Sequence, residues 1–94
     1  MVFGILKAGN WGDTMTVGEA VRERILGLCA ERNITINKLS TISGVTQSTL
    51  NNIVGGRNNS TTVSTIQKLC DGLGITIPAF FNSELFKDIE PEVK

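Results

Sequence analysis

Apolar residues recur along the chain at helical spacing, and no stretch shows the strict alternation of a half-buried strand. Val17, Val21, Ile25, Leu28 and Cys29 fall at three- and four-residue intervals, which predicts an amphipathic helix from about Val17 to Arg32. Thr16 stands as its N-cap and Asn33 as its end. Thr35 caps a second, shorter helix ending near Ser43, with Leu39 and Ile42 on its inner face. Gly44 follows, supplying the positive φ that a tight interhelical turn needs. Thr46 caps a third helix whose apolar stripe is Leu50, Ile53 and Val54, and Val45 is placed to staple onto Leu50. Gly55 and Gly56 stop this helix, and residues 57–61 form a polar loop. Thr62 caps a fourth helix in which Val63, Ile66, Leu69, Cys70 and Leu73 read as a full core face, ended by Gly74. Thr76 caps a short fifth helix carrying Ile77, Phe80 and Phe81, with Pro78 in the first turn, where a missing N–H does no harm. Leu85, Phe86 and Ile89 predict one more weak helical turn before an acidic end. The pattern is all-α, with helices joined by very short turns.

A chain of 94 residues and 10.1 kDa has room for one small domain. Residues 1–14 lack helical periodicity and are expected to be a disordered or wrongly assigned N-terminal extension. The codons for Trp11-Gly12-Asp13 can form a purine-rich run just upstream of an ATG, as a bacterial ribosome-binding site does, so Met15 is expected to be the natural start. Residues 15–82 then make the domain and residues 83–94 an acidic C-terminal tail, which either packs on the first helix or forms a dimer seam. No apolar run approaches the ~18–20 residues of a membrane span, and Val2 to Leu6 is too short for a signal-peptide core. A cytoplasmic protein is expected.

The chemistry available is narrow. Histidine is absent, which removes the commonest general base and the commonest metal ligand. Cys29 and Cys70 are far apart, without metal-binding spacing, and both fall on apolar stripes, so they read as buried reduced thiols. No two carboxylates converge with a nucleophile. An enzyme, a metal site and a cofactor are all unexpected.

The second and third helices carry the functional signal. Two short helices joined by Gly44-Val45-Thr46 have the spacing of a helix-turn-helix, whose second helix lies in the DNA major groove. The outward positions of the third helix are Gln47, Ser48, Thr49, Asn51 and Asn52. A merely solvated helix face would favour Glu, Lys and Arg, which are better helix formers. Short amides and hydroxyls donate and accept at once, and Gln or Asn can pair bidentately with adenine.

The formal net charge is zero, which is awkward for a nucleic-acid binder, but the charges are segregated. From Arg32 to Cys70 there is no Asp or Glu, and Arg32, Lys38, Arg57 and Lys68 give a formal +4. Residues 1–31 sum to −1 and residues 71–94 to −3. Of the 39 residues from 32 to 70, 20 are Ser, Thr, Asn or Gln, a composition that suits a phosphate backbone, which repels acids.

The run Ile34-Thr35-x-x-Lys38-Leu39-Ser40-x-x-Ser43-Gly44-Val45-Thr46-Gln47-Ser48-Thr49-Leu50-x-x-Ile53, followed by Gly56-Arg57 and by Ile66-x-x-Leu69-Cys70-x-x-Leu73-Gly74-Ile75, resembles the phage-repressor/Cro (Xre) family of helix-turn-helix regulators. The resemblance spans about Val17 to Phe81. It implies a five-helix lambda-repressor-like DNA-binding domain with the helix-turn-helix at helices two and three. It implies that Thr46–Val54 is the recognition helix, and that Gln47, Ser48, Asn51 and Asn52 contact bases. Thr35, Asn37, Lys38, Thr46, Arg57 and Asn58 fall where the family grips phosphates.

Three departures stand out. Ile36 occupies the place of a phosphate-contacting Gln, and Lys38 that of a capping acid. Cys29 and Val54 stand where many members pair a buried Arg with a Glu. Both partners are apolar here, so no lone charge is stranded. The function implied is a sequence-specific, repressor-like transcriptional regulator of bacterial type. It would bind double-stranded DNA at a palindromic operator as a homodimer. The alternative is an antitoxin or protein-interaction module on the same fold, engaging a toxin-like partner through the acidic C-terminal segment.

Overall fold

The computed structural model describes residues 15–56 and 60–91. Within them the chain forms α1 (Val17–Arg32), α2 (Ile36–Ser43), α3 (Gln47–Val54), α4 (Val63–Leu73) and α5 (Ile77–Phe81), then a 3-10 turn at Glu84–Phe86. Each α-helix starts at a threonine. Thr16, Thr35, Thr46, Thr62 and Thr76 hold extended backbone, and each hydroxyl oxygen accepts the N–H three residues on. That satisfies one of the donors every helix start leaves unpaired. At α1 the exchange is reciprocal, because the Thr16 N–H donates to Glu19 Oε1 at 2.9 Å.

Three links share one pattern. Asn33-Ile34-Thr35, Gly44-Val45-Thr46 and Gly74-Ile75-Thr76 each set a left-handed residue, a β-branched apolar residue and a capping threonine in a row. The left-handed residues have φ of 57°, 76° and 71°. The apolar residue turns inward in each case: Val45 is buried, and Ile34 and Ile75 pack against the buried cluster. Such short links let the end of one helix fix the start of the next.

One core serves all five helices. Leu39, Leu50, Leu69 and Phe80 are wholly buried, with Ile25, Leu28, Ile53, Ile66 and Cys70 around them. α1 packs on α3, and α2 packs most extensively on α4. Gly72 marks the closest approach of α4 to α2. A Cβ there would lie 2.8 Å from both the carbonyl oxygen of Ile42 and the Cα of Ser43.

Two expected core positions prove to be outside. Val63, assigned to the core face of α4, is 73% exposed, because it is the first residue of its helix and the core begins a turn later at Ile66. Ile42, expected on the inner face of α2, is also exposed: α4 meets α2 there through backbone, which leaves the side chain outside. The described part of the C-terminal segment folds back on α1. Its 3-10 turn packs on that helix, and Phe86 reaches the core and stacks edge-to-face with Phe81 at 4.9 Å between centroids. Met15 and Ile89 form an isolated parallel bridge, with the Glu90 N–H donating to Met15 O at 2.9 Å. A single bridge leaves no alternation to read, which is why no strand signal precedes it in the sequence.

Candidate nucleic-acid interface

The α2–α3 turn is wired through serine hydroxyls. The Gly44 N–H donates to Ser40 O at 3.0 Å, closing α2 in a left-handed cap. The Val45 N–H finds no helix carbonyl and donates to Ser43 Oγ at 3.2 Å, while that hydroxyl donates to Leu39 O at 2.7 Å. Ser40 Oγ donates to Val45 O at 2.6 Å. Every polar atom of this nearly buried turn residue is thereby paired, as burial requires.

From this anchored start α3 sends Leu50 and Ile53 into the core and leaves Gln47, Ser48 and Asn51 exposed. Asn52 is half-buried and engaged in an interaction within the chain. Thr49, read from the sequence as outward, is half-buried and serves the cap. It donates its N–H to Thr46 Oγ1 at 3.2 Å, and its hydroxyl accepts that of Thr46 at 2.9 Å. The Thr46 hydroxyl thus both accepts and donates inside its own helix. Thr35 differs, because its hydroxyl accepts from the Lys38 N–H at 3.0 Å and keeps its own proton to offer.

Asn37 and Gln47 meet across the two helices. Gln47 Nε2 donates to Asn37 Oδ1, joining the first turn of α2 to the first turn of α3. By donor inventory the bond leaves Gln47 a carbonyl oxygen and a second N–H, and leaves Asn37 its two N–H groups. An amide that keeps one donor beside one acceptor matches the N7/N6 edge of adenine. Arg57 and Asn58, the remaining expected phosphate contacts, lie outside the described residues.

Arg32, Lys38 and Lys68 are exposed. The ion pairs Arg22–Glu23 and Lys87–Glu84 both lie outside the acid-free stretch. Neither pair involves Arg32, Lys38 or Lys68.

The far end of α3 is held from α1. Arg22 Nε donates to Val54 O at 2.8 Å, and its Nη1 pairs with Glu23 Oε2 at 2.9 Å. Nothing in the periodicity of α1 singles out Arg22. No residue type at the acceptor end marks the bond either, since every residue carries a backbone carbonyl. Val54 itself is half-buried and Cys29 fully so, and the apolar pair leaves no stranded charge between α1 and α3.

The thiols are free and buried. Burial pushes both Cys29 and Cys70 up from the ordinary thiol range, and at Cys70 neighbouring Asp71 adds to the rise while Arg24 opposes it. Neither is an activated nucleophile at neutral pH. Among the described residues no group of three or more His, Cys, Asp or Glu could hold a metal ion, and no helix is long and apolar enough to cross a membrane.

A family model for the Cro/C1-type HTH DNA-binding domain matches residues 24–81. The crystal structure of the prophage Lp1 protein 11 matches with a TM-score of 0.70 at 37% sequence identity, covering 81% of this chain and 100% of that one. No curated protein matches the chain significantly.

Proposed function

The chain belongs to the Cro/C1-type helix-turn-helix DNA-binding family, and on that premise we propose that it is a sequence-specific transcriptional repressor that reads DNA with α3. The observation that carries the reading is the outward face of α3. Exposed amides and hydroxyls stand on a helix-turn-helix, inside a stretch of 39 residues with no carboxylate. Gln47, Ser48 and Asn51 read base edges, with Asn52 beside them. Thr35, Asn37, Lys38, Thr46, Arg57 and Asn58 grip phosphates. Asn37 does two things in this scheme, fixing the Gln47 amide through its carbonyl and offering its N–H groups to the backbone.

The protein acts as a homodimer on a palindromic operator in the bacterial cytoplasm, the geometry usual for this motif. Residues 15–82 are the reading unit, and the acidic residues 83–94 turn DNA away from the opposite side. With a formal +4 on the reading segment, phosphate contacts are few and non-specific binding is weak, so recognition falls to hydrogen bonds.

Selection of bound duplexes from a random pool, at stated salt, tests the reading. Enrichment of one site with two-fold symmetry is expected, and recovery of unenriched sequence defeats it. Gln47→Ala is expected to cost about 1–3 kcal/mol on the selected site and to relax preference at one base pair. Lys38→Ala instead weakens every duplex alike and flattens the salt slope by about one. Equal losses on selected and scrambled DNA for both variants would refute the division of labour.

A further inference from the structure

α1 carries two arginines that make the same kind of bond to two different helices. Arg24 donates Nε to Phe80 O at 2.7 Å and Nη2 to Ala79 O at 2.9 Å, both near the end of α5. Arg22 donates Nε to Val54 O at 2.8 Å, the last carbonyl of α3. The last carbonyls of a helix lack the usual partner four residues on, although Ala79 O also accepts the Asn82 N–H at 3.3 Å, and a cation beside them meets the negative end of the helix dipole. At α3 the Gly55 N–H takes Asn51 O at 2.9 Å and the Gly56 N–H takes Ile53 O at 3.2 Å. Val54 O is paired from another element altogether.

The residues that follow make this bond matter. Gly55 and Gly56 bring no side chain to pack, so the chain beyond Val54 does little to aim the helix. α3 has only eight residues. Its start is fixed by the serine-wired turn and its middle by Leu50 and Ile53 in the core. Its far end is fixed by the Arg22 guanidinium, which Glu23 Oε2 orients at 2.9 Å.

We infer that Arg22 is a positioning residue for base readout: through Val54 O it fixes the C-terminal half of α3, so that Asn51 and Asn52 meet bases in a single register, while it contacts no DNA itself. This rests on α3 being the recognition helix. Hydrogen bonds to base edges weaken steeply with misalignment, whereas phosphate attraction tolerates it. Loss of the Arg22 bond therefore reaches cognate binding and leaves non-specific binding nearly untouched.

Arg24 is the internal control, with the same chemistry and the same parent helix but with its bonds directed to α5. The full chain is compared as wild type, Arg22→Met, Arg22→Gln and Arg24→Met, with melting followed by circular dichroism. The probes are the duplex recovered by the wild type from random-sequence selection and a scrambled duplex of equal length, at fixed salt. Both Arg22 variants are expected to lose about tenfold on the selected duplex, the scale of one charge-assisted hydrogen bond, with scrambled affinity and salt slope unchanged. Arg24→Met is expected to lower Tm at least as far yet keep the wild-type ratio of the two affinities. The inference fails if the Arg22 variants keep that ratio, if Arg24→Met changes it equally, or if neither Arg22 variant folds. A wild type that discriminates no sequence defeats the recognition-helix reading itself, and that outcome appears before any variant is made.

Discussion

The links Gly44-Val45-Thr46 and Gly74-Ile75-Thr76 use nearly the same residues and open onto different surfaces. Both begin with a left-handed glycine and end in a threonine that caps the next helix. Four residues past each cap stands a wholly buried anchor, Leu50 in α3 and Phe80 in α5. The other positions diverge. Gln47 and Asn51 in α3 correspond to Ile77 and Phe81 in α5, so one helix offers amides and the other continues the aromatic cluster. The wiring diverges too. Ile75 donates its N–H to Cys70 O at 3.0 Å, closing the link on backbone alone, whereas Val45 relies on Ser43 and Ser40. The shared pattern sets the direction of a helix. Its outward residues decide what the helix is for.

The comparison can be broken first at the shared anchors. Leu50→Ala is expected to cost about 2–5 kcal/mol and Phe80→Ala about 3–5 kcal/mol, since each leaves a cavity in a filled core. Urea unfolding measures both, and a loss under 1 kcal/mol at either site would mean that the links do not converge on one core (the scale of a surface substitution is about ±0.5 kcal/mol). Gly72→Ala comes next. Its Cβ would meet backbone of Ile42 and Ser43 at 2.8 Å, which cannot rotate away, so overpacking of about 1–3 kcal/mol is expected. Because the clash lies at the end of α2, DNA affinity is expected to fall along with stability.

Smaller effects sharpen the difference in wiring. Ser40→Ala removes the donor to Val45 O and is expected to cost about 1 kcal/mol, read as a shift in urea midpoint at unchanged slope. The Gly74 link has no equivalent hydroxyl donor, so no serine change near it should match this. The smallest effect concerns pH. Cys29 O and Cys70 O accept the link N–H groups of Ile34 and Ile75, and burial raises both thiols above the ordinary value of 9.0. A raised thiol in the folded state means that the fold holds the proton more tightly than the unfolded chain does. This contribution is complete below the ordinary thiol value and is lost as pH rises through the raised one. Thermal melts are therefore expected to show stability flat from neutrality upwards and falling only above about pH 9. The fall should disappear in a Cys29→Ala, Cys70→Ala double variant.

Most of the helical frame is legible in the sequence. Five threonine caps, the closing Asn33, Gly44 and Gly74, and the anchors Leu50, Leu69 and Phe80 all act over one or two turns, and local patterns report them directly. Ile42 and Val63 show where that logic stops. Periodicity gives the face on which a residue lies, but not whether a neighbour covers that part of the face. At the candidate site the residue types of Gln47, Ser48, Asn51 and Asn52 were likewise readable, because Ser and Asn are weaker helix formers than the charged residues a solvated face favours, and need a reason there.

By itself, then, the sequence determined an all-α chain, the helix-turn-helix spacing, and a carboxylate-free segment whose local positive charge the zero total conceals. Only the tertiary structure decided which groups meet across it. It brought Gln47 to Asn37, Arg22 to Val54 O over 32 residues, Arg24 to Phe80 O over 56, and Ile89 back to Met15. The physical reason is range. A cap or a turn is completed by neighbours a few positions away, and selects residue types that show in the sequence. A bond from a side chain to a distant backbone carbonyl selects nothing at the acceptor, since every residue carries that carbonyl.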